Sequence, residues 1–157
     1  MFKFRSIIVE PRPHPALKAV LQNMCEKLKM PITIVHGTKN KEFVQKIIPY
    51  IPCIDLVLEI NAEQLHAGTY SKLLTTEEFW DKTRLDEPKV IIFQTDAGIC
   101  GDGEEIYDYL QYDYCGAPWR KGKYKFEVGN GGFSIRDPEI AKKHIRQYGT
   151  HTYNEDL

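Results

Sequence analysis

The sequence carries no excess of either charge. Its 21 Lys and Arg stand against 22 Asp and Glu, a formal net charge of -1 over 157 residues. Binding that works by neutralising many phosphates needs a basic field, so nucleic acid is not an expected partner, and a strongly charged membrane-surface mode loses its basis too. No apolar run approaches the length of a membrane span. After Met-Phe-Lys-Phe-Arg only residues 6–9 are apolar or small before Glu10, a run shorter than the core of a secretory signal. Cysteine is scarce. Cys25, Cys53, Cys100 and Cys115 share neither a C-x-x-C nor a Cys/His spacing, which argues against a zinc site. Without a secretory signal they are expected to be reduced thiols, mostly packed in the core of a cytoplasmic protein. Internal repeats, low-complexity stretches and linkers are also absent, and no glycine cluster has the spacing of a Walker loop or of the dinucleotide fingerprint.

What is present describes an ordinary globular domain. A composition of 42% hydrophobic and 27% charged residues excludes disorder, collagen and coiled coil. The length suits one domain, large enough to bury roughly 68–70% of its unfolded surface. Residues 6–9 read as a strand, stopped by Pro11, Pro13 and Pro15. From Pro15 onward Leu17, Val20, Leu21, Met24, Cys25 and Leu28 recur at helical spacing and predict a helix ending near Pro31. Residues 32–35 predict a second strand, 40–48 a helix and 56–60 a third strand. Thr75 and Glu78 stand at capping-box spacing before Phe79 and Trp80. Residues 89–93 predict a fourth strand, in which residues 90–93 are an unbroken apolar run, as in a strand covered on both faces. Residues 104–110 read as helix, 132–135 as strand, and Asp137-Pro138 as the start of a last helix. The stretch 115–130 reads as irregular. Strands alternating with helices predict a three-layer α/β domain with a mostly parallel central sheet.

Open α/β sheets bind ligands at the carboxyl ends of their strands. Two polar turns stand there: Glu10 to His14 after the first strand, and Gln94-Thr95-Asp96 after the fourth. Asp96 suits either a divalent cation bridging nucleotide phosphates or a simple turn before Gly98. Arg12 and His14 suit phosphates or a base, their loop stiffened by prolines; a rigid turn with solvated charges is the alternative. Gly129-Asn130-Gly131-Gly132 permits close approach of a ligand to the backbone, or a hairpin turn. Arg120, Lys121, Lys123 and Lys125 form a short basic run that suits a diphosphate or a solvated loop. A terminal pair, Glu155-Asp156, suits a general base or a frayed end.

Several segments then stand together in a familiar order: Ile8-Val9-Glu10-Pro11-Arg12, Glu78-Phe79-Trp80, Ile92-Phe93-Gln94-Thr95-Asp96, Tyr112-Asp113-Tyr114-Cys115-Gly116-Ala117-Pro118-Trp119, and Val128 through Arg136 with its Gly-Asn-Gly-Gly-Phe-Ser block. The chain resembles the glycosyltransferase-like domain family of unknown function found in large DNA viruses, fungi and bacteria. The resemblance spans nearly the whole chain and implies a GT-A-like domain that uses a nucleotide-sugar donor. It implies that Glu10, Arg12, His14, Thr95 and Asp96 border the nucleotide, with Asp96 as the carboxylate for Mn²⁺ or Mg²⁺ and Gln94 where the first acid of Asp-x-Asp would stand. Trp119, Asn130, Gly131, Gly132 and Phe133 would meet the donor sugar or a glycan or protein hydroxyl acceptor. Asp156, with Glu155, would be the base. Family members run on beyond this acidic motif, so residues 1–157 are expected to be one such domain lacking its C-terminal part. A domain that binds nucleotide or glycan without turnover is the alternative function, and an interaction module contacting partners through exposed Tyr and Trp in 107–124 ranks behind it.

Overall fold

A computed structural model of the chain describes residues 4–84, 86–119 and 128–150. Six strands form one sheet in the order β3-β2-β1-β4-β6-β5. Strands β1 (Arg5–Glu10), β2 (Ile32–His36), β3 (Ile54–Glu59) and β4 (Val90–Phe93) run parallel, while β6 (Val128–Arg136) is antiparallel to both β4 and β5 (Tyr114–Pro118). The expected three layers are present. On one face Ile8, Ile34, Ile91 and Phe93 pack against α1 (Leu17–Leu28) and α2 (Lys41–Ile47). On the other, Ile7, Val9, Val35 and Ile92 meet α3 (Ala67–Leu74), α4 (Glu77–Thr83) and α6 (Pro138–Tyr148). Residues in β1, β2 and β4 are buried throughout, whereas edge strand β3 alternates between half-buried and exposed positions. This contrast is what two covered faces and one open edge require.

Helix boundaries follow local chemistry. α1 ends where Lys29 turns left-handed, its N–H donating to the Cys25 carbonyl, ahead of Pro31. Asp137 caps α6 by accepting from the Glu139 and Ile140 N–H groups, with Pro138 as first helical residue, as expected. Four details depart from the sequence reading. The cap of α4 is Thr76, which accepts from the Phe79 N–H; Thr75 instead closes α3, its hydroxyl donating to the Ser71 carbonyl. The helix expected over 104–110 is only a short α5, Ile106–Tyr109. The stretch expected to be irregular holds β5, and the glycine run lies inside β6. Cys25 and Cys53 are joined as a disulfide rather than standing as thiols, because the fold brings their Cα atoms to 5.6 Å from 28 residues apart. Cys100 and Cys115 are free.

A buried ion cluster ties the amino ends of the strands. The Arg5 guanidinium donates to Glu87 from Nε and Nη2 (3.1 and 3.0 Å), to Asp55 from both Nη atoms, and to the Thr33 hydroxyl (3.1 Å). Among the described residues no helix is long and apolar enough to cross a membrane.

Candidate functional site

At the opposite, carboxyl end of the sheet lies a cleft of about 510 Å³, the volume range of small-molecule sites. Three chain segments named from the sequence meet in it: Glu10, Arg12 and His14 after β1; Gln94, Thr95 and Asp96 after β4; and Asn130, Gly131 and Gly132 of β6. Topology does this. β1 and β4 are neighbours, and Phe93 pairs with Phe133, so the end of β4 lies beside the glycine-rich half of β6.

The first wall is preset. Glu10 is 4% exposed, and both its carboxylate oxygens serve Arg12. Oε1 accepts from the Arg12 backbone N–H (3.0 Å) and Nε (2.7 Å), and Oε2 accepts from Nη2 (2.7 Å). The hydrogen bond to Glu10, then its negative charge, raise the pKa of Arg12, which stays cationic. Glu10 therefore holds a cation in place, and Arg12, half exposed, presents it. His14 Nδ1 accepts from the Ala16 N–H at 3.2 Å, which leaves Nε2 to carry the proton of the neutral ring.

The second wall is a tight turn in which the Ala97 N–H donates to the Gln94 carbonyl (3.1 Å), leaving Asp96 exposed. Asn23 anchors the segment after this turn, exchanging two hydrogen bonds with the Ile99 backbone. The floor is Asn130–Gly132, where Asn130 Oδ1 accepts from the Gly132 N–H (3.2 Å). A Cβ on Gly132 would come within 3.3 Å of Gln94 Oε1, a tight contact that the Gln94 side chain would have to relieve.

A third wall was not foreseen. Leu65, His66, Ala67, Tyr70 and Ser71 bring the start of α3 to the cleft. His66 and Thr69 cap this helix reciprocally: His66 Nδ1 accepts from the Thr69 N–H, and the Thr69 hydroxyl accepts from the His66 N–H. A His-x-x-Thr cap with Gly68 in the first turn is a weak signal. The apolar spacing of Tyr70, Leu73 and Leu74 could have pointed to a helix.

Two expected residues are not among the described lining residues. Trp119 follows β5, and Phe133 packs against the core on the α1 face. Glu155, Asp156 and the basic run from Arg120 to Lys125 lie outside the described residues. Among those described, no three His, Cys, Asp or Glu side chains form a group that could hold a metal ion. One carboxylate, Asp96, is open to the cleft; that fits an ion taking its remaining ligands from phosphate and water.

A family model described as protein of unknown function (DUF5672) matches residues 57–157. The chain belongs to this family. No curated protein matches this DUF5672 chain in sequence. Among solved structures it is similar to the glycosyltransferase GlyE of Streptococcus pneumoniae TIGR4 (TM-score 0.58, 15% identity, covering 93% of this chain and 37% of that one). It is similar to residues 1–349 of S. aureus TarS in complex with UDP (TM-score 0.60, 13% identity, 91% and 49% covered). The 4-diphosphocytidyl-2C-methyl-D-erythritol synthase of Anaerococcus prevotii DSM 20548 also matches (TM-score 0.57, 12% identity, 93% and 75% covered). The chain thus spans less than half the length of GlyE and TarS. At these identities the likeness establishes the fold, which is GT-A-like as expected, and one fold hosts several chemistries.

Proposed function

We propose that this domain takes a sugar from a nucleotide-sugar donor and passes it to a glycan or protein hydroxyl. The observation that supports this reading most is the convergence of the β1 turn, the Gln94–Asp96 turn and the β6 glycines on one cleft at the carboxyl end of a GT-A-like sheet. A cation held by a buried carboxylate is suited to a diphosphate, because Arg12 keeps two-pronged donor geometry while Glu10 limits its rotation. In the transfer, the acceptor oxygen bonds to the anomeric carbon while the bond from that carbon to phosphate oxygen breaks. Its electron pair leaves with the diphosphate, and the hydroxyl proton goes to a base. Asp156 or Glu155 is the proposed base if the anomeric centre inverts. Bound Mn²⁺ or Mg²⁺, held by Asp96, would neutralise charge on the departing diphosphate.

The test is thermal unfolding with UDP, GDP, CDP and their sugars, with and without Mn²⁺. A ligand at a hundred times its dissociation constant stabilises by about 2.7 kcal/mol, roughly 5–10 °C for a chain of this size. The expected result is a rise with one nucleotide family that Mn²⁺ enlarges and Asp96→Ala abolishes. No rise with any nucleotide defeats the reading. A second reading, binding without turnover, is favoured by Gln94 in place of a first acid and by the single open carboxylate among the described residues of the cleft. Release of free sugar or of glycosylated product from a bound donor would eliminate it.

A further inference from the structure

The Glu10–Arg12 wall is held from behind by a residue that does not touch the cleft. Asn40 is fully buried at the N-cap position of α2. Asn at that position ordinarily accepts from its own helix, yet its side chain makes no cap hydrogen bond here. Its amide reaches across instead. Nδ2 donates to the backbone carbonyls of Glu10 (2.7 Å) and Arg12 (2.9 Å), and Oδ1 accepts from the Gly37 N–H (2.9 Å). One planar group thereby satisfies two carbonyls of the β1 turn and one donor of the β2 turn. Gly37 lets the turns meet: a Cβ there would lie 2.1 Å from the Ala62 carbonyl oxygen and 2.7 Å from Pro11 Cβ. The Thr38 N–H also donates to the Ala62 carbonyl, which ties in the segment leading from β3 to α3.

We infer that Asn40 is a positioning residue for the anion-binding wall, acting on a ligand through Arg12. This rests on the donor-site reading above. Pro11, Pro13 and Pro15 restrict the turn locally and the His14 N–H donates to the Arg12 carbonyl (2.8 Å), while Asn40 is the side chain that ties both the Glu10 and Arg12 carbonyls to the β2 turn. An amide is required because only a group with two donors and an acceptor on one plane serves all three partners. In Asn40→Asp the acceptor for Gly37 survives, while both donations are lost and a carboxylate faces two carbonyl oxygens.

The experiment is a double-mutant cycle on Asn40→Asp and Arg12→Ala, with UDP and inorganic pyrophosphate as probes in calorimetry. Amide hydrogen exchange is measured alongside at Arg12, His14 and Ala16. Asn40→Asp is expected to weaken either probe roughly tenfold when Arg12 is present, and by less than twofold in the Arg12→Ala background. Exchange at the three amides should quicken more than tenfold while Ile91 and Ile92 stay protected. Equal loss in both backgrounds, or no loss in either, overturns the inference. If the wild-type chain binds neither probe, the donor-site reading falls, and exchange alone judges Asn40: unchanged rates overturn its role. Should Asn40→Asp not fold, Asn40→Ser keeps one donor and one acceptor, and the same cycle is run with it.

Discussion

Replacing Arg5 by Met tests whether the two ends of the sheet do separate work. The Arg5 side chain is 1% exposed, and its donors are spent on Glu87, Asp55 and Thr33. Burial works against its charge, but hydrogen bonds to Asp55 and Glu87 outweigh burial and raise its pKa. The two carboxylates differ in what they lose. Asp55 is 43% exposed, and water can take the guanidinium's place. Glu87 is 6% exposed, and water cannot. The cost is therefore that of removing one partner from a buried charge, about 3–5 kcal/mol. That corresponds to roughly 6–20 °C in Tm for a chain of this length. Methionine fills much of the arginine stem's volume, so the cavity contribution is small. The Arg5→Met/Glu87→Leu pair replaces both members of the buried ion pair and should recover most of the loss, because apolar replacements of buried ion pairs are near neutral. Thermal and urea unfolding followed by circular dichroism give the stabilities. UDP affinity of the folded variants should stay within about twofold, since the cluster lies at the far end of the sheet from the cleft. A loss below about 1 kcal/mol for Arg5→Met, or a double variant no more stable than the single, refutes this partition.

Other outcomes rest on the same kinds of contact. Burial alone would raise the Asp137 carboxyl, but hydrogen bonds from Lys89 and from the Ile140 and Glu139 N–H groups bring it below the usual range. A depressed native pKa means that its contribution is complete above the unfolded value near 3.9 and fades as pH falls through the lower native value. Asp137→Asn keeps a cap without a charge, so its stability should drop less than wild type between about pH 4 and pH 2, and identical acid profiles would contradict this. The Cys25–Cys53 link closes a 28-residue separation, worth about 3–4 kcal/mol on chain-entropy grounds. Tris(carboxyethyl)phosphine should lower Tm accordingly, and an unmoved Tm tells against a structural staple. Gly37→Ala should cost about 3 kcal/mol, because its Cβ would overlap the Ala62 carbonyl oxygen; a stability within about 0.5 kcal/mol of wild type, the size of ordinary surface changes, would rule that clash out.

Parts of the fold were legible because one local signal sufficed. β4 announced itself as four apolar residues with no polar face, and α6 by Asp-Pro at its start. Other parts depended on partners remote in sequence. β5 is half-buried or exposed, carries Gly116 and Pro118, and forms only because β6 lies beside it. α3 opens with a cap whose acceptor is an imidazole and whose first turn contains glycine. The cysteine pair has no spacing signature, since α1 and the turn before β3 meet only once β1 and β2 have paired.

The cleft divides along the same line, and Glu10 shows why. Residue types at strand ends named Glu10, Arg12, Asp96, Gly131 and Gly132, and all of them line one cleft. Their division of labour was not readable. Glu-Pro-Arg suggests two independent charged groups bordering a ligand. In the fold, Pro11 turns the chain so that Arg12 returns onto Glu10, and the acid becomes the support of the base. The two carbonyls of that turn accept from Asn40, some thirty positions away. The geometry of a three-residue motif is therefore tied to a fourth residue, in a different loop, whose own sequence context reads only as the start of a helix. The chemistry of a strand-end turn is set by what its backbone is tied to, and in this fold the tie comes from the neighbouring crossover.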